Sequence, residues 1–412
     1  MSSRSVWGAG SADEDYCRTL LGWDELSREL HDEPIVNFNP LGVAGATCFN
    51  HDLEVLAALQ GLQPRFPPRS LQACRLRGHE AFLRQSLGQP IPFNEYIRAT
   101  QMVPTKPFSA AYLRRRRELA ERSLAAVGLR YGAGIASESE EMVGPEEMPA
   151  MWRALTAQEL PRLEAAIGRE LRFEFDIEHV EVDDYWLYWM DTHEGRFRIR
   201  MNVHERPLAR AEVIHGGVLH EIVGHLAQAH AWCQEVQAGR LAPSLTLQTQ
   251  HTLEGFCTEG VAQTLSLWLA GADDVDPILL AWLRMEHYWN LVFHNAHVLV
   301  NQGAPIEQCA EYVSINIPDV GPPCGALADL RRRSTDPMRR SYLLSYGIGQ
   351  DAMVRAAERL EPVARRQLLV EMYTRPMTYA GFQRRVAALA HHPSVETGLA
   401  QTKTSAAPAS AA

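Results

Sequence analysis

The sequence predicts a mainly α-helical protein of the α+β class, with a small mixed β-sheet and long helices that form a cleft. Apolar residues recur at helical spacing through most of the 412 residues. The period-two alternation typical of strands is confined to about residues 172–203. A content of 46% hydrophobic and 22% charged residues is typical of a globular protein with a large core.

The periodic segments, taken in order, also predict the domain organisation. We expect helices at residues 13–30, 52–62, 69–87, 108–128, 157–170, 208–238, 246–270, 276–301, 305–314, 336–359 and 362–391. Loops rich in proline and glycine, and an acidic stretch near residue 140, favour a helical lobe over residues 1–150 and a catalytic domain over residues 151–398. Residues 399–412 are rich in Ala, Ser and Thr and predict a disordered tail.

Charge and composition exclude several classes of partner. The formal net charge of −10 argues against nucleic-acid binding. No apolar run approaches the roughly 18 residues of a membrane-spanning helix, and the N-terminus lacks the apolar centre of a signal peptide. Seven cysteines without Cys-x-x-Cys spacing predict reduced thiols. We therefore expect a cytoplasmic protein without a membrane partner, and the sequence leaves the oligomeric state open.

The most informative segment is residues 220–225, which contains His220, Glu221 and His225. In the zinc motif H-E-x-x-H, two histidines four residues apart share one helical face, and the glutamate acts on a water bound to the metal. The spacing here is five, which on a regular α-helix rotates the second side chain by about 140° from the first. A π-type turn at Gly224 would bring both rings together. The alternative is an ordinary helix with two satisfied or exposed histidines.

A second apolar helical stretch, residues 252–265, contains Glu254 and Glu259. A catalytic zinc usually takes three protein ligands, so two histidines leave one ligand to be found. Glu254 is the better candidate and Glu259 the second, because buried carboxylates need a partner such as a metal ion or a liganding imidazole. The alternative is a solvated helix face.

Residues 196–203 alternate between polar and apolar side chains, which predicts a strand with one buried face. An edge strand can bind an extended substrate through its backbone, and arginines can bind a carboxylate. Arg198, Arg200 and Asn202 are therefore candidate substrate-binding residues. The alternative is an amphipathic strand with solvated arginines.

The order of these features resembles the bacterial zincin-like family known as domain of unknown function 885, which is of the gluzincin-like metallopeptidase type. That family reads H-E-x-x-P-G-H-H-L-Q, followed by E-G-W. This chain lacks the proline and has Leu226 and Phe256 in place of the second paired histidine and the tryptophan. The hexapeptide is also similar to H-E-L-L-G-H of dipeptidyl peptidase III, which has the same five-residue spacing. The likeness covers about residues 195–390.

The resemblance implies a zincin-like catalytic part in which His220, His225 and Glu254 bind one Zn²⁺ ion and Glu221 is the general base. A weaker likeness at residues 341–350 implies that Tyr346 stabilises the developing oxyanion, with a core tyrosine as the alternative. The remaining candidate substrate-binding residues are Glu259, Tyr342, Arg355, His287 and His294. The two histidines share a helical face, and satisfied core histidines are the alternative. Another divalent metal, iron or manganese, stays open.

Two classes of function follow from this sequence. The first is a zinc-dependent hydrolase that cleaves an amide bond in a small peptide or peptide-like substrate, with the metal-bound water activated by Glu221. The second is a zincin-fold enzyme recruited as a metal-dependent tailoring enzyme in a biosynthetic pathway, which cleaves no peptide. An inactive scaffold is a third alternative, against which the presence of Glu221 argues.

Overall fold

A computed structural model describes residues 11–130, 142–182, 187–193, 196–202, 208–271, 273–318 and 323–391. Over these ranges the protein is mainly helical and contains a small three-stranded mixed sheet, as the sequence predicts. The predicted tail at residues 399–412 lies outside the described residues.

Five helices form the N-terminal part: α1 (Ala12–His31), α2 (Asp52–Leu62), α3 (Leu71–Ser86), α4 (Phe93–Thr100) and α5 (Ala110–Ala126). Serine caps explain where three of them begin. The side chains of Ser11, Ser70 and Ser109 accept hydrogen bonds from backbone N–H groups of the first turns of α1, α3 and α5. Helix α4 is absent from the sequence prediction, because eight residues give too short a periodic signal.

The central sheet contains β2 (Phe175–Val180), β3 (Tyr188–His193) and β4 (Arg196–Asn202) in the order β2-β4-β3. Strand β4 pairs in parallel with β2 and antiparallel with β3, so β3 is an edge strand. A separate two-stranded pair, β1 (Met142–Val143) and β5 (Leu208–Ala209), lies outside the predicted strand region. The alternation in β4 buries every second side chain in the core and leaves its arginines on the opposite face.

The remaining helical elements are α6 (Met148–Ile167), α7 (Arg210–Glu212), a π-helix (Val213–Leu226), α8 (Ala227–Gln237), α9 (Gly255–Ala262), α10 (Leu265–Leu269), α11 (Pro277–Asn301), α12 (Ile306–Asn316), α13 (Pro323–Thr335), α14 (Pro337–Arg359), α15 (Pro362–Met372) and α16 (Tyr379–His391). Helix α13 is absent from the sequence prediction, and three predicted helices are wrong in part. The helix predicted at 157–170 already begins at Met148. The helix predicted at 246–270 begins only at Gly255, because the polar residues before it form an irregular segment. The helix predicted at 362–391 is interrupted around Pro376, which cannot donate a backbone hydrogen bond.

The main hydrophobic core collects side chains from both ends of the chain, among them Trp23, Trp152, Ile222, Phe256 and Phe382. A smaller second core lies between α5, α11, α12 and α13. The main core therefore fixes the π-helix and α9, which carry the histidines and glutamates of the motif. The domain boundary near residue 150 stays a prediction. Within the described ranges, no helix is both long enough and apolar enough to cross a membrane.

Candidate metal centre

The segment Val213–Leu226 is a π-helix of 14 residues. In a π-helix the backbone bonds run between residues five apart, so side chains at that spacing fall on the same side. The Nε2 atoms of His220 and His225 lie 3.1 Å apart. The π-type geometry expected from the five-residue spacing is confirmed, and it extends well beyond a single turn.

Gly224 is required where the π-helix packs against α9. A Cβ atom at this position would lie 2.8 Å from the Cβ of Ala262 and 2.9 Å from its Cα. Nonbonded carbon atoms do not approach each other this closely, so the absence of a side chain at Gly224 allows the two helix backbones to approach. The close approach brings Glu259, one turn before Ala262, to the two imidazoles.

Glu259 is the carboxylate beside the histidines. Its Oε2 atom lies 3.6 Å from Nε2 of His220, and its Oε1 atom lies 3.5 Å from Nε2 of His225. These three side chains form a group whose ligand atoms all lie within 4.8 Å of one another. Glu259 thus lies where a third metal ligand would be needed, rather than at the substrate-binding position that the sequence predicts.

The structure corrects the prediction that Glu254 is the third metal ligand. Glu254 immediately precedes α9 and contacts Arg75 instead, with 3.0 Å between Oε1 and Nε. Both side chains are almost completely buried. Glu254 and Glu259 are five residues apart, which corresponds to about 140° of rotation on an α-helix. Their side chains therefore project in different directions, and Glu259 is the one beside the imidazoles of the π-helix.

The three ligand atoms fit a divalent ion. Zinc binds nitrogen and oxygen at about 2.0 to 2.2 Å, so the edges of its coordination tetrahedron measure about 3.3 to 3.6 Å. The two Nε2 atoms lie 3.1 Å apart, and each lies 3.5 to 3.6 Å from one carboxylate oxygen of Glu259, His225 from Oε1 and His220 from Oε2. The Oε2 atom of Glu259 is buried without a hydrogen-bond partner. Two imidazoles and one carboxylate suit zinc, and they also suit iron or manganese.

The electrostatics of the cluster also favour a cation. Burial lowers the pKa of His220 to about 4, with a further contribution from His225, and burial lowers the pKa of His225 to about 4. Both rings are therefore neutral near pH 7, which is the form that binds metal. Burial and the neighbouring charge of Glu259 raise the pKa of Glu221 well above its usual range. A bound cation would offset the repulsion between the two carboxylates.

Two tyrosines of α14 complete the cluster. The hydroxyl of Tyr342 donates a hydrogen bond of 2.7 Å to Oε1 of Glu259, and the hydroxyl of Tyr346 lies 3.0 Å from that of Tyr342. Helices α14 and α9 approach closely at Gly260, where a Cβ atom would lie 2.8 Å from the carbonyl oxygen of Gly349. Both tyrosines therefore lie at the cluster, as expected, with Tyr342 bonded to a ligand.

The cluster opens into a narrow cleft of about 110 Å³. The wall of this cleft combines residues that the sequence predicts with side chains that it does not. The lining residues are Asn37, Phe38, Tyr188, Trp189, Met190, His220, Glu221, His225, Gln248, Thr249, Gln250, Glu254, Gly255, Thr258, Glu259, Tyr342 and Tyr346. Three glutamates line the cleft, and this wall of described residues includes no lysine or arginine. A cleft of this size admits a reacting group and little more.

His287 and His294, predicted to bind substrate, are not part of the cleft wall. His287 Nε2 lies 3.2 Å from Oδ1 of Asp351, and His294 Nε2 donates to the carbonyl of Lys106 at 3.1 Å. Each ring is only 2% exposed. Both residues are core histidines, the alternative interpretation, because each one bonds through Nε2 inside the helical packing.

The arginines of β4 also lie outside the cleft wall. Arg198 makes two hydrogen bonds of 2.8 Å to the carboxylate of Asp191 and a further contact to Glu178. Arg200 contacts the same aspartate at 3.3 Å and lies on the wall of a second, larger cavity. The two arginines share one face of the strand, and of the two, Arg200 is the one on the wall of this second cavity.

Asn202 and Arg355 are likewise placed away from the cleft. The side chain of Asn202 donates to the carbonyl of Val182 at 2.9 Å and accepts from its N–H at 3.2 Å. This bonding fixes the end of β4. Arg355 is 62% exposed and lies 3.6 Å from Asp351, one turn away on the same helix.

Sequence reasoning missed three residues that matter here: Arg75, Asn37 and Trp189. One signal was available for Arg75, because it shares the apolar face of α3 with His79 and Phe82, where a charge is unexpected. Nothing in the sequence marks Asn37 or Trp189, whose positions depend on contacts across the chain. The backbone N–H of Asn37 donates a hydrogen bond of 2.9 Å to the carbonyl of Gln248.

No protein-family model matches this sequence, and no curated protein matches it. Among solved structures, it is similar to one titled "The crystal structure of the putative lipoprotein from Colwellia psychrerythraea", with a TM-score of 0.50 and 14% sequence identity. The match covers 81% of this chain and 59% of that protein, so this chain spans less than two thirds of its neighbour. At this identity the likeness concerns the fold alone.

Proposed function

We propose that this protein is a zincin-like, zinc-dependent hydrolase that cleaves an amide bond in a small peptide or peptide-like substrate. The observation that carries the proposal is the triangle of His220, His225 and Glu259, with Glu221 on the wall of the same cleft. A Zn²⁺ ion held by these three residues would act as a Lewis acid on the substrate carbonyl and make water more acidic.

Glu221 is the general base of the proposed reaction. It follows His220 directly and is offset from it around the helix, so its carboxylate can reach water in the cleft without occupying the metal position. It accepts a proton from the attacking water and transfers it to the leaving amine.

The two tyrosines have different proposed roles. Tyr346 lines the cleft and donates a hydrogen bond to the oxygen that gains charge as the carbonyl is attacked. Tyr342 donates to Glu259 and fixes the orientation of that carboxylate. Tyr342 is therefore a positioning residue, whereas Tyr346 contacts the substrate.

We also retain a cytoplasmic location as part of the proposal. All seven cysteines lie in the described ranges, and none of them forms a disulfide. Reduced thiols are typical of proteins in a reducing compartment.

Metal analysis and the Glu221→Gln variant test the function. We expect about one zinc ion per chain, and hydrolysis of dipeptides or N-acyl amino acids that falls by at least about 100-fold in the variant. The variant keeps its metal, because residue 221 is not a ligand. Glu307→Gln is the matched control, since Glu307 is exposed on α12.

Two results would contradict the proposal. Purified protein that binds no divalent metal at micromolar concentration would remove the role of the triangle. Bound metal without any amide hydrolysis would instead favour the second class, a metal-dependent tailoring enzyme.

A further inference from the structure

A second cavity of about 800 Å³ adjoins the metal cleft. Asn37, Trp189 and Gln250 line both spaces, so the cavity and the cleft lie side by side. We call this second cavity the chamber. Its volume falls in the range of about 300 to 1,000 Å³ that is typical of ligand sites, whereas the cleft is too small to hold a whole substrate.

One part of the chamber wall is aromatic. Trp23, Phe82 and Trp189 contribute to it, and the ring of His251 stacks on Phe82 with 3.9 Å between centroids. Aromatic walls favour flat apolar groups through buried area and edge-to-face contacts. This part of the chamber is suited to an aromatic group of a substrate.

Arg200 lines the chamber and is the arginine that its wall receives from the sheet. It pairs in register with Trp189 across β3 and β4, and Trp189 forms part of the wall shared with the cleft. Cross-strand partners project on the same face of a sheet. Arg200 therefore lies beside the wall that the chamber shares with the cleft. A short substrate could contact this arginine and the metal at the same time.

Two carboxylates of the chamber take part in the packing of its rim. Asp336 caps α14 by accepting from the N–H of Arg339 at 2.9 Å, and Asp52, the first residue of α2, lies 3.4 Å from Nε2 of His31. Arg28 and Arg339 are further arginines of the chamber wall. Arg200 is the cation on the sheet side, beside the wall that the chamber shares with the cleft.

We propose that the chamber binds the amine side of the cleaved bond, and that this side is an aromatic amino acid with a free carboxylate bound by Arg200. The inference rests on the proposed hydrolase function and narrows it to dipeptides and N-acyl aromatic amino acids. In that reaction water adds hydroxyl to the acyl carbon, the C–N bond breaks, and the released amine takes the remaining proton.

A comparison of N-acetylphenylalanine with N-acetylphenylalaninamide tests this substrate class. The wild-type protein should favour the acid by about 10- to 100-fold in kcat/KM, because a charge-assisted pair is lost with the amide. Arg200→Gln should reduce the preference to less than about 3-fold, mainly through KM, and Arg200→Lys should keep part of it.

Arg198→Gln is the matched control. It removes the other partner of Asp191 from the same strand face without touching the chamber wall, so the preference for the acid should persist. An acid preference that is unchanged in Arg200→Gln, or lost equally in Arg198→Gln, would overturn the proposal.

Calorimetric binding of N-acetylphenylalanine to Glu221→Gln protein separates this inference from the hydrolase function. Binding that weakens at least about 10-fold when Arg200→Gln is added supports the chamber, even if no variant hydrolyses an amide. Equal binding with and without Arg200 overturns the chamber, even if hydrolysis of other amides establishes the enzyme.

Discussion

The Nε2 atoms of His220 and His225 lie 3.1 Å apart although the residues are five positions apart in the sequence. A regular α-helix would direct these rings about 140° apart, and the π-helix removes this mismatch. Such helices are rare and are usually a single turn long. Here the complete burial of Ile222, Val223 and Leu226 stabilises 14 residues of it.

Gly224→Ala should destabilise the protein by about 1 to 3 kcal/mol, because the added methyl group overlaps Ala262. Zinc affinity should fall with it, since the π-helix must move away from α9. Gly216→Ala is the matched control on the same π-helix: no atom lies within 4 Å of its added Cβ, so this variant should be neutral or more stable by up to about 1 kcal/mol. Urea denaturation of both variants measures the difference, and equal losses of stability would contradict the packing argument.

Glu259→Gln should weaken zinc binding by more than about 100-fold, which exceeds the usual cost of removing a residue that only orients a metal ligand. Glu254→Gln should retain the metal, because Glu254 contacts Arg75 rather than the imidazoles. Competition with a chelator measures both affinities. Loss of zinc in Glu254→Gln, with retention in Glu259→Gln, would restore the ligand set implied by the family resemblance.

Tyr342→Phe and Tyr346→Phe should affect different measurements. Removal of the Tyr342 hydroxyl leaves one oxygen of Glu259 without its 2.7 Å hydrogen bond, so zinc affinity should fall by about 10- to 100-fold. Removal of the Tyr346 hydroxyl should lower kcat by about 100-fold and leave zinc affinity nearly unchanged. Chelator competition and steady-state kinetics distinguish them, and a lower zinc affinity in both variants would assign both tyrosines to positioning.

Arg75→Met should destabilise the protein by about 3 to 5 kcal/mol, because it leaves the buried carboxylate of Glu254 without its charged partner. The guanidinium also donates to the carbonyls of Ser244 and Leu247, so these contacts are lost as well. Adding Glu254→Leu should recover part of the stability, since the unpaired buried charge is then removed. Guanidinium denaturation of the single and double variants measures this coupling, and strictly additive losses would rule it out.

Stability should fall as the pH is lowered from 7.5 to 5.5. Burial lowers the pKa of His251 to about 3 and of His294 to about 4, and it lowers the pKa of His79 and His297 well below the usual value. Below about pH 6.5 the unfolded chain binds protons that these folded-state imidazoles do not bind, so each one costs up to about 1.4 kcal/mol over this interval. Urea denaturation at the two pH values measures the loss, and His294→Asn should reduce the pH dependence. An unchanged pH dependence in His294→Asn, together with a stability that is constant over this interval, would contradict the prediction.

The sequence predicted much of the helical framework, because long apolar periodicities are local properties of the chain. Helix α2 has the predicted bounds, and the ends of α11 and α14 differ from prediction by at most one residue. The eight-residue α4 and the start of α9 were not predicted, since short or polar segments carry too weak a periodic signal. Helix α13 and the first nine residues of α6 were missed as well.

The candidate site was predictable only where its chemistry is local. His220, Glu221 and His225 lie within six residues, and their spacing requires a π-type turn if both rings are to bind one ion. Tyr346 was found through a motif likeness. Arg198, Asn202 and His294 were assigned to the site because their residue types suit it, whereas each is engaged in packing elsewhere.

By itself, the sequence determined the helical class, the two imidazoles and the distorted helix that their spacing demands, because these depend on neighbours along the chain. Only the tertiary structure decided between Glu254 and Glu259 and placed Arg75 and Trp189. That choice depends on which face of α9 meets the π-helix and on a buried arginine that is far away in sequence. Contacts between distant segments are set by packing of the whole core, which no local pattern encodes.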